Sequence, residues 1–412
     1  MSTSTDYSAL LEAMHQTKPL MYDKGNNLLL TMRFIRRLLC EFEPLRHVFR
    51  YDDFTATLSI TRELPDAVSR SDEEFPRSMQ DHDVVAFAAF LEQLSTRSAP
   101  PTKKLAEVID MAARGQRFSS LKDSVERLPA HDGECRLENW LTRYLGVEES
   151  PYSRSVGWMF LVQMIARAMD PGCKADYVLV LEGDQGAGKS QAVGILAGRF
   201  AGDDLPAIAA SSKEHKEYLI GRWVIELAEL DGLTSQKNQR AAKAFFTTRE
   251  DKTRLPYANR TLPHPRTCVF VGTTNETKPY LTDDTGNRRY WPVRVGAVRL
   301  EELEQDRDQL LAEARERYNA GVKAYPSKEQ ELLYFKIEQS KRGYHDGLGE
   351  RLQMALGTAE ETTVIECLEL LDLDDTHGHR MAIGKHLRAM GYQRVLTRRD
   401  GVQLRMYRLR IS

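Results

Sequence analysis

The segment 178–190 constrains the fold of this chain more than any other. A valine and leucine run at 178–181 has the composition of a buried parallel strand, and it leads directly into a loop of the form G-x-x-x-x-G-K-S. Val193, Ile195 and Leu196 follow with the spacing of an amphipathic helix. Strand, glycine loop and helix in this order are the context that a phosphate-binding loop (P-loop) requires, whereas a chance match in a surface turn lacks the flanking elements. We therefore expect an α/β fold with a P-loop NTPase core.

The loop supplies groups that hold a nucleoside triphosphate and its metal ion. Its backbone N–H groups are expected to converge on an anion at the positive end of the following helix. Lys189 is expected to reach the β- and γ-phosphates, and the Ser190 hydroxyl to hold Mg²⁺, so that ATP and Mg²⁺ are the predicted cofactors. The residues predicted to bind the nucleotide are Gly183, Asp184, Gln185, Gly186, Ala187, Gly188, Lys189 and Ser190.

The composition limits the class of protein. The chain has 412 residues, enough for about two to three domains, with 41% hydrophobic and 29% charged residues. Its net charge of -2 means that any surface for nucleic acid must be local. The five cysteines form no C-x-x-C pair, which argues against a disulfide framework or a zinc cluster. Apolar runs long enough for a membrane span and a signal-peptide pattern are both missing, so we expect a cytoplasmic protein without membrane contact.

We expect five segments along the chain. The first is a mixed α+β region with helices at 28–42, 84–94 and 104–117, a strand pair within 49–58 and a loop at 95–102. The second contains helices at 137–145 and 156–169. In order, the segments are the mixed region 1–130, a helical lead-in 131–172, the ATPase core 173–296, a helical connector 297–357 and a basic winged-helix-like domain 358–412.

The C-terminal segment has the layout of a winged helix. Helices at 362–370 and 381–390 precede a strand at 392–396, a turn at 399–401 and a strand at 402–409. Residues 380–412 hold nine Lys and Arg residues against one acid, which suits duplex DNA, although winged helices also dock proteins. His377 and His379 form an H-x-H in a predicted loop, which is weak evidence for a metal. The predicted DNA contacts here are Lys385, Arg388, Arg398 and Arg399.

A second buried strand, at 222–231, ends in acids. One carboxylate would orient the Mg²⁺ shell and another would polarise the attacking water. We favour Glu229 for the catalytic role, with Glu226 and Asp231 as the second acid. An acid at the surface end of a strand is the alternative, but a carboxylate inside an apolar run is costly to bury unless something such as a metal compensates.

A third buried strand, at 268–275, ends in T-T-N. Asn275 at its tip suits a sensor that orients the attacking water, whereas an ordinary turn would explain T-T-N without any function. The spacing allows all three strands to lie in one parallel sheet.

Two basic segments flank this third strand. The segment 249–260 is expected to form a hairpin that grips a phosphate backbone through Lys252, Arg254 and Arg260, and a solvated loop is the alternative. Arg288 and Arg289 stand on a Gly-Asn turn after the strand. One of them is a candidate arginine finger acting on a neighbouring subunit's nucleotide, and an ion pair with Asp283 or Asp284 is the alternative.

These motifs together resemble the virulence-associated protein E family. The resemblance lies in P-G-x-K-x-D-x-V-L-V-L-E-G-x-Q-G-x-G-K-S, W-V-I-E-L-A-E-L, R-E-D-K-T-R-L-P-Y, F-V-G-T-T-N-E and T-G-N-R-R-Y-W-P-V, which follow one another within about 130–296. Members are phage- and island-encoded proteins whose ATPase core is similar to that of superfamily 3 helicases. The resemblance implies a hexameric, ATP-driven DNA-translocating ring that replicates a mobile element in a bacterial host, with single-stranded DNA in its channel and replication proteins as partners.

The resemblance also implies roles for individual residues. Lys189 and Ser190 carry the Walker A roles, Glu229 and Glu226 the Walker B roles, and Asn275 the sensor role. Lys252 and Arg254 fall in the DNA-facing segment, and Arg288 and Arg289 at the finger.

Three functions remain open to the sequence. The first is a helicase or translocase, and the second an ATP-dependent initiator or loader that does not separate strands. A P-loop kinase is disfavoured because the T-T-N strand and the N-R-R turn have no evident task there. Many relatives carry a primase domain ahead of this core. Residues 1–130 are short for one, and Asp52-Asp53 is a lone acid pair expected in a hairpin, so primase activity is not expected.

Overall fold

A computed structural model of the protein describes thirteen stretches of the chain. They are residues 7–17, 20–25, 27–65, 74–95, 97–203, 205, 213–228, 236–253, 261–275, 287–342, 348–357, 359–399 and 402–409. The chain divides into two compact units, Met1–Thr277 with Thr285–Gln339, and Lys278–Asp284 with Ser340–Ser412. The five-segment division stays a prediction. Among the described helices, none has the length and apolarity needed to cross a membrane.

The first unit begins with a small helical region built on a four-stranded sheet, in the order β3-β2-β1-β4. The predicted strand pair at 49–58 is present as the antiparallel hairpin of β1 and β2. Its helices are α1 (Ser8–Thr17), α2 (Met32–Glu41), α3 (Asp81–Leu94), α4 (Thr102–Arg114) and α5 (Ser120–Glu126), and its strands are β1 (Phe49–Asp52), β2 (Thr57–Ile60), β3 (Arg77–Ser78) and β4 (Arg117–Phe118).

Two predicted helices in this region are cut short at one end. The helix expected from 28 begins only at Met32, because the Thr31 hydroxyl accepts a hydrogen bond from the Phe34 N–H and caps the helix there. The helix expected to reach 117 ends at Arg114, since Arg117 instead enters β4 and pairs with β1. Local capping and strand pairing therefore override the apolar periodicity at these ends.

Two further helices lead into the central sheet. They are α6 (Trp140–Leu145), shorter than expected, and α7 (Pro151–Met169), which starts five residues earlier than expected. Pro151 occupies the first position of α7, and Ser150 and Ser153 cap its start reciprocally. Most of α7 is buried, and it forms the centre of the main core.

The central sheet is parallel, in the order β11-β5-β10-β7-β6, and makes the fold mixed α/β. The three strands predicted to share it do so as β5, β7 and β10. Its strands are β5 (Val178–Glu182), β6 (Ala201–Gly202), β7 (Val224–Ala228), β10 (Val269–Thr274) and β11 (Tyr290–Arg294). The same part of the chain contains a separate antiparallel hairpin of β8 (Glu250–Thr253) and β9 (Leu262–Pro265). Its helices are α8 (Lys189–Ala197), α9 (Lys213–Tyr218) and α10 (Gln236–Thr247).

A long helix of the first unit, α11 (Leu300–Asn319), packs on α7 and α8. The Glu313 carboxylate, which is buried, accepts hydrogen bonds of 2.7 Å from the backbone N–H groups of Arg136 and Leu137. The His131 ring contacts Glu316 on the same helix at 2.8 Å. These contacts fix the lead-in segment to α11. After it come α12 (Lys328–Gln330), a π-helical turn (Glu331–Phe335) and α13 (Lys336–Ser340).

The described part of the second unit contains three helices and a three-stranded antiparallel sheet, in the order β12-β14-β13. The two strands predicted at 392–396 and 402–409 are present and pair with each other, with β13 longer than expected, while 400–401 of the predicted turn lie outside the described residues. Its elements are α14 (Leu348–Leu356), β12 (Glu361–Thr363), α15 (Val364–Leu370), α16 (His377–Ala389), β13 (Tyr392–Arg399) and β14 (Val402–Leu409).

Two details of this unit correct the sequence prediction. Thr362 lies in β12, and the Thr363 hydroxyl caps α15 by accepting the Glu366 N–H, so the helix starts at Val364. His377 and His379 stand in the first turn of α16 and not in a loop, because Thr376 caps that helix.

Candidate nucleotide-binding site

The glycine loop after β5 has the backbone that a tight anion-binding turn needs. Gly186 and Gly188 have φ of 80° and 85°, in the left-handed region that favours glycine. A Cβ on Gly188 would lie 3.3 Å from the Val298 Cγ1 atom, so a side chain there would also be crowded. The α8 helix starts at Lys189 immediately after this turn. The free N–H groups of its first turn therefore lie at the same edge as the end of β5.

The Lys189 side chain folds back over this loop. Its ammonium group donates hydrogen bonds of 2.8 Å to the carbonyl oxygens of Gly183 and Asp184, and one of 3.1 Å to the Asn275 Oδ1. Lys189 is 6% exposed, and burial lowers its pKa, against the opposing charges of Asp184 and Glu226. Among the described residues, no carboxylate is bonded to this cation.

A second set of contacts centres on Glu226 of β7. Its Oε1 atom accepts hydrogen bonds of 2.7 Å from the Ser190 hydroxyl and from the Thr273 hydroxyl. Ser190 is on α8 and Thr273 on β10, so Glu226 joins the helix after the loop to two neighbouring strands. Glu226 is 7% exposed, so these two hydroxyl groups contact a carboxylate that is largely shielded from water. The sequence analysis did not select Thr273, although its place in T-T-N made it visible.

Parallel pairing explains why these groups meet. Glu182 of β5 pairs with Thr274 of β10, and Thr273 pairs with Ala228 of β7, so the carboxyl ends of the three strands share one edge. The loop that follows β5 and Asn275, which follows β10, therefore lie at that edge, where ligands of open parallel sheets bind. Glu229 and Asp231 lie outside the described residues, and their predicted roles stay predictions.

The donor set at this edge suits a magnesium–nucleotide complex. Within the described part of the chain, there is no group of three or more His, Cys, Asp or Glu side chains that could hold a metal ion. Mg²⁺ does not require such a cluster, because it keeps several waters and binds through one or two carboxylates and the substrate phosphates. Ser190 and Glu226 are the described residues that would hold it.

The two candidate finger arginines lie at the opposite edge of the sheet. They stand in a 3₁₀ turn (Asn287–Arg289) ahead of β11, whose first residue pairs with Val178 at the start of β5. The five residues of β5 place them about 15 Å from the glycine loop along the strands. Arg288 is exposed, whereas the Arg289 side chain is 14% exposed and lies 4.0 Å from the Asp176 carboxylate. Asp283 and Asp284, the predicted alternative partners, lie outside the described residues.

The segment 249–260 contributes β8 to an antiparallel hairpin, but the second strand, β9, begins only at Leu262, beyond the predicted segment. Residues 254–260, with Arg254 and Arg260, lie outside the described residues. Lys252 is exposed on β8. Next to it, Asp251 forms a buried bidentate ion pair with Arg266, with an Nη2–Oδ1 distance of 3.1 Å. Arg266 also donates to the Phe245 carbonyl of α10 and stacks over the Phe245 ring. The hairpin base is therefore anchored to α10 and, through 266–268, to β10.

A buried arginine supports the same anchor. Arg167 of α7 is 1% exposed and donates to the carbonyl oxygens of Arg266 and Ala175, at 3.0 and 3.4 Å. Burial lowers its pKa. The contacts of Arg167, Asp251 and Arg266 were not predicted from the sequence, because nothing local to an isolated charged residue indicates a partner distant in sequence.

The predicted DNA contacts of the second unit divide into two pairs. Lys385 and Arg388 are exposed on α16, where Arg388 Nη1 lies 3.4 Å from the Tyr407 hydroxyl of β14. Arg398 and Arg399 end β13, and the structure does not describe their side chains.

Comparisons with known proteins agree with the motif-based resemblance. The model of the virulence-associated protein E-like domain matches residues 125–343, more than half of the chain. Among curated proteins, no sequence matches. Two solved apo A-form structures of the NrS-1 C-terminal region align with TM-scores of 0.47 and 0.46 at 13% and 14% identity, each covering 88% of this chain and 96% of the other. At this degree of similarity, the alignments carry no functional argument.

Proposed function

The chain belongs to the virulence-associated protein E-like family, and from this premise we propose that it is an ATP-driven DNA helicase or translocase. In this proposal the parallel sheet is a P-loop NTPase core of the superfamily 3 helicase type, and the second unit is a winged helix. The protein acts as a ring, a homo-hexamer by family resemblance, in replication of a phage or another mobile element. It works in the cytoplasm of the bacterial host.

One observation carries the proposal: two linked contacts gather the predicted nucleotide-binding groups at one edge of the sheet. Lys189 contacts Asn275, and Ser190 contacts Glu226. In the proposed mechanism, Lys189 leaves the loop carbonyls for the phosphates when ATP binds. Bound ATP and Mg²⁺ supply the phosphoryl group and the charge neutralisation for its transfer. Asn275 positions the attacking water, while Glu226, and Glu229 by prediction, hold the metal shell and activate that water.

The distance between the glycine loop and the two arginines supports a ring. Arg288 is exposed at the sheet edge opposite the loop of its own chain, so it is poorly placed for its own nucleotide. A neighbouring subunit can present the same residue to that nucleotide when the contact is head-to-tail. We therefore assign Arg288 as the arginine finger, whereas Arg289 lies beside Asp176 of its own chain.

DNA contact is proposed at two places. In the first unit, Lys252 stands on the exposed hairpin that would face the channel. In the second unit, α16 carries Lys385 and Arg388 and would lie on duplex DNA as the recognition helix of a winged helix.

The test is a strand-displacement assay on forked DNA, with ATP hydrolysis measured in parallel. The proposal predicts DNA-stimulated hydrolysis and strand separation, both lost in Lys189→Ala and kept in Lys122→Ala, a control at an exposed lysine of α5. Hydrolysis without strand separation in either polarity would favour the loader instead. If the protein remains monomeric in the presence of ATP and DNA, the proposed ring is contradicted.

A further inference from the structure

The hairpin of β13 and β14 carries an exposed leucine in a basic surface. The Leu396 side chain is 65% exposed, so most of it is in contact with water. It stands directly opposite Arg405 in the antiparallel register, and both side chains therefore project from the same face. Arg394, two residues before Leu396 on that face, is also exposed.

This face continues into α16. Tyr407 stands opposite Arg394, is buried in the core of the second unit, and receives the 3.4 Å contact from Arg388 of α16. Arg388, Arg394 and Arg405 thus line one continuous path from the helix towards the free end of the hairpin, with Leu396 among them. Among the described residues, neither Arg394 nor Arg405 has a carboxylate within ion-pair distance, whereas Arg408 on the other face pairs with Glu361.

The acidic and basic residues of the second unit lie in different parts of the sequence. Residues 358–375 contain seven acids and no Lys or Arg, while 380–412 contain nine Lys and Arg and one acid. An exposed leucine among arginines matches a polyanion that also offers an apolar surface. Duplex DNA does so in its minor groove, where arginines enter and apolar side chains wedge between base steps.

We propose that Leu396 is an apolar wedge that enters the DNA minor groove and partly unstacks one base step, with Arg394 and Arg405 holding the flanking phosphates. This rests on the proposed function, because it assumes that the second unit meets duplex DNA, and it adds how that duplex is deformed. The wedge would open the stack beside the site where α16 lies in the major groove.

The experiment uses the full chain without nucleotide and a duplex that carries 2-aminopurine and a fluorophore at each end. The fluorescence of 2-aminopurine reports unstacking, energy transfer between the ends reports bending, and titration over a range of salt reports phosphate contacts. Leu396→Ser is expected to weaken binding about tenfold, in keeping with the loss of one buried leucine. It should abolish both unstacking and bending while leaving the salt dependence unchanged. Arg405→Gln should instead lower the salt slope by about one.

Two variants serve as matched controls. Leu370 of α15 is 57% exposed but stands beside Glu369 in the acidic part of the unit, so Leu370→Ser should leave all three signals unchanged. Arg408 lies on the other face of the hairpin and is paired with Glu361. Arg408→Gln should therefore leave the unstacking of the duplex unchanged.

The inference is overturned if Leu396→Ser behaves like Leu370→Ser, or if it changes self-association or binding of a protein instead of DNA deformation. If the chain binds no duplex but single-stranded DNA still stimulates ATP hydrolysis, the wedge is wrong while the proposed motor stands. If ATP is not hydrolysed but Leu396 still deforms the duplex, the motor is wrong and the wedge stands.

Discussion

The Lys189 ammonium is hydrogen-bonded to the Asn275 side chain, 3.1 Å from its Oδ1 atom. The two residues lie on different elements, one at the start of α8 and the other just after β10. The same ammonium is also bound to two carbonyl oxygens of its own loop. Under the proposed function, the lysine that would bind phosphate is thus hydrogen-bonded to the residue that would orient the attacking water.

Replacement of Asn275 by alanine should therefore separate binding from hydrolysis. Lys189 keeps its two carbonyl partners, so we expect ATP affinity to change by less than about threefold. The rate of hydrolysis should fall roughly 10²-fold, because an oriented polar group is lost at the reacting centre. Equilibrium binding and steady-state hydrolysis measure the two effects. Asn139→Ala, at an exposed asparagine, is the control, and an equal loss of affinity and rate would contradict the sensor role.

Glu226→Gln should weaken the binding of Mg²⁺ without unfolding the site. Glutamine keeps an oxygen that accepts from Ser190 and Thr273, but it removes the negative charge. We expect the Mg²⁺ concentration for half-maximal hydrolysis to rise about 10- to 100-fold, with binding of metal-free nucleotide unchanged. The exposed Glu63→Gln serves as control. An unaltered Mg²⁺ titration would remove Glu226 from the metal shell.

Arg288 and Arg289 should respond differently to alanine. Arg288→Ala is expected to keep ATP binding and stability but to lose hydrolysis by about 10³-fold, as for a finger supplied in trans. Arg289→Ala should lower stability instead, because its side chain is mostly buried beside Asp176. Mixing Arg288→Ala with Lys189→Ala should restore part of the activity at mixed interfaces. Failure of the mixture to recover any hydrolysis would contradict action between subunits.

The buried Asp251–Arg266 pair should be costly to break from one side. Asp251→Ala leaves the Arg266 charge buried without its carboxylate, and we expect a loss of about 3–5 kcal/mol. Asp251→Leu combined with Arg266→Met should cost less than the single change. Urea unfolding followed by tryptophan fluorescence tests this, with Asp110→Ala, in an exposed pair on α4, expected to cost under about 1 kcal/mol.

Stability should depend on pH through His131. Burial opposes its charge, but hydrogen bonds to the Glu134 carbonyl and the Glu316 carboxylate outweigh this and raise its pKa. A raised pKa in the folded state stabilises the protein fully below the unfolded value of about 6.5, and this gain is lost as pH rises through the folded pKa. Glu316→Gln should therefore destabilise the protein at pH 5.5 more than at pH 8. Equal losses at both values, measured by urea unfolding, would contradict this.

Features carried by short local patterns were predicted from sequence, and those set by distant partners were not. The strand, loop and helix at 178–197 depend on neighbours in the chain, as does the β13–β14 hairpin. Helix ends at Met32 and Val364 were misplaced, because a single threonine hydroxyl outweighs apolar spacing. The helix α14 was not singled out, since its apolar residues have a role only after packing with α15 and α16.

The site shows the same division. The loop and Glu226 were selected because strand-end acids and glycine loops have recognisable chemistry. The Glu226–Thr273 contact joins two strands through residues 47 positions apart, and the Arg167–Arg266 anchor joins α7 to a residue 99 positions later. Only the folded chain brings these residues together.

Because the strands are parallel, the glycine loop and Arg288 of one chain lie at opposite edges of its sheet. In the proposed ring, each hydrolysis site would then draw on two polypeptides, so that loss of Lys189 would damage a copy's own site and loss of Arg288 the site of its neighbour. In genetic terms, a loss-of-function allele at Arg288 should interfere with the intact gene when both are expressed in one cell, because the defective copy disables a site on an intact one. An element carrying this gene would thus be open to interference from its own defective copies.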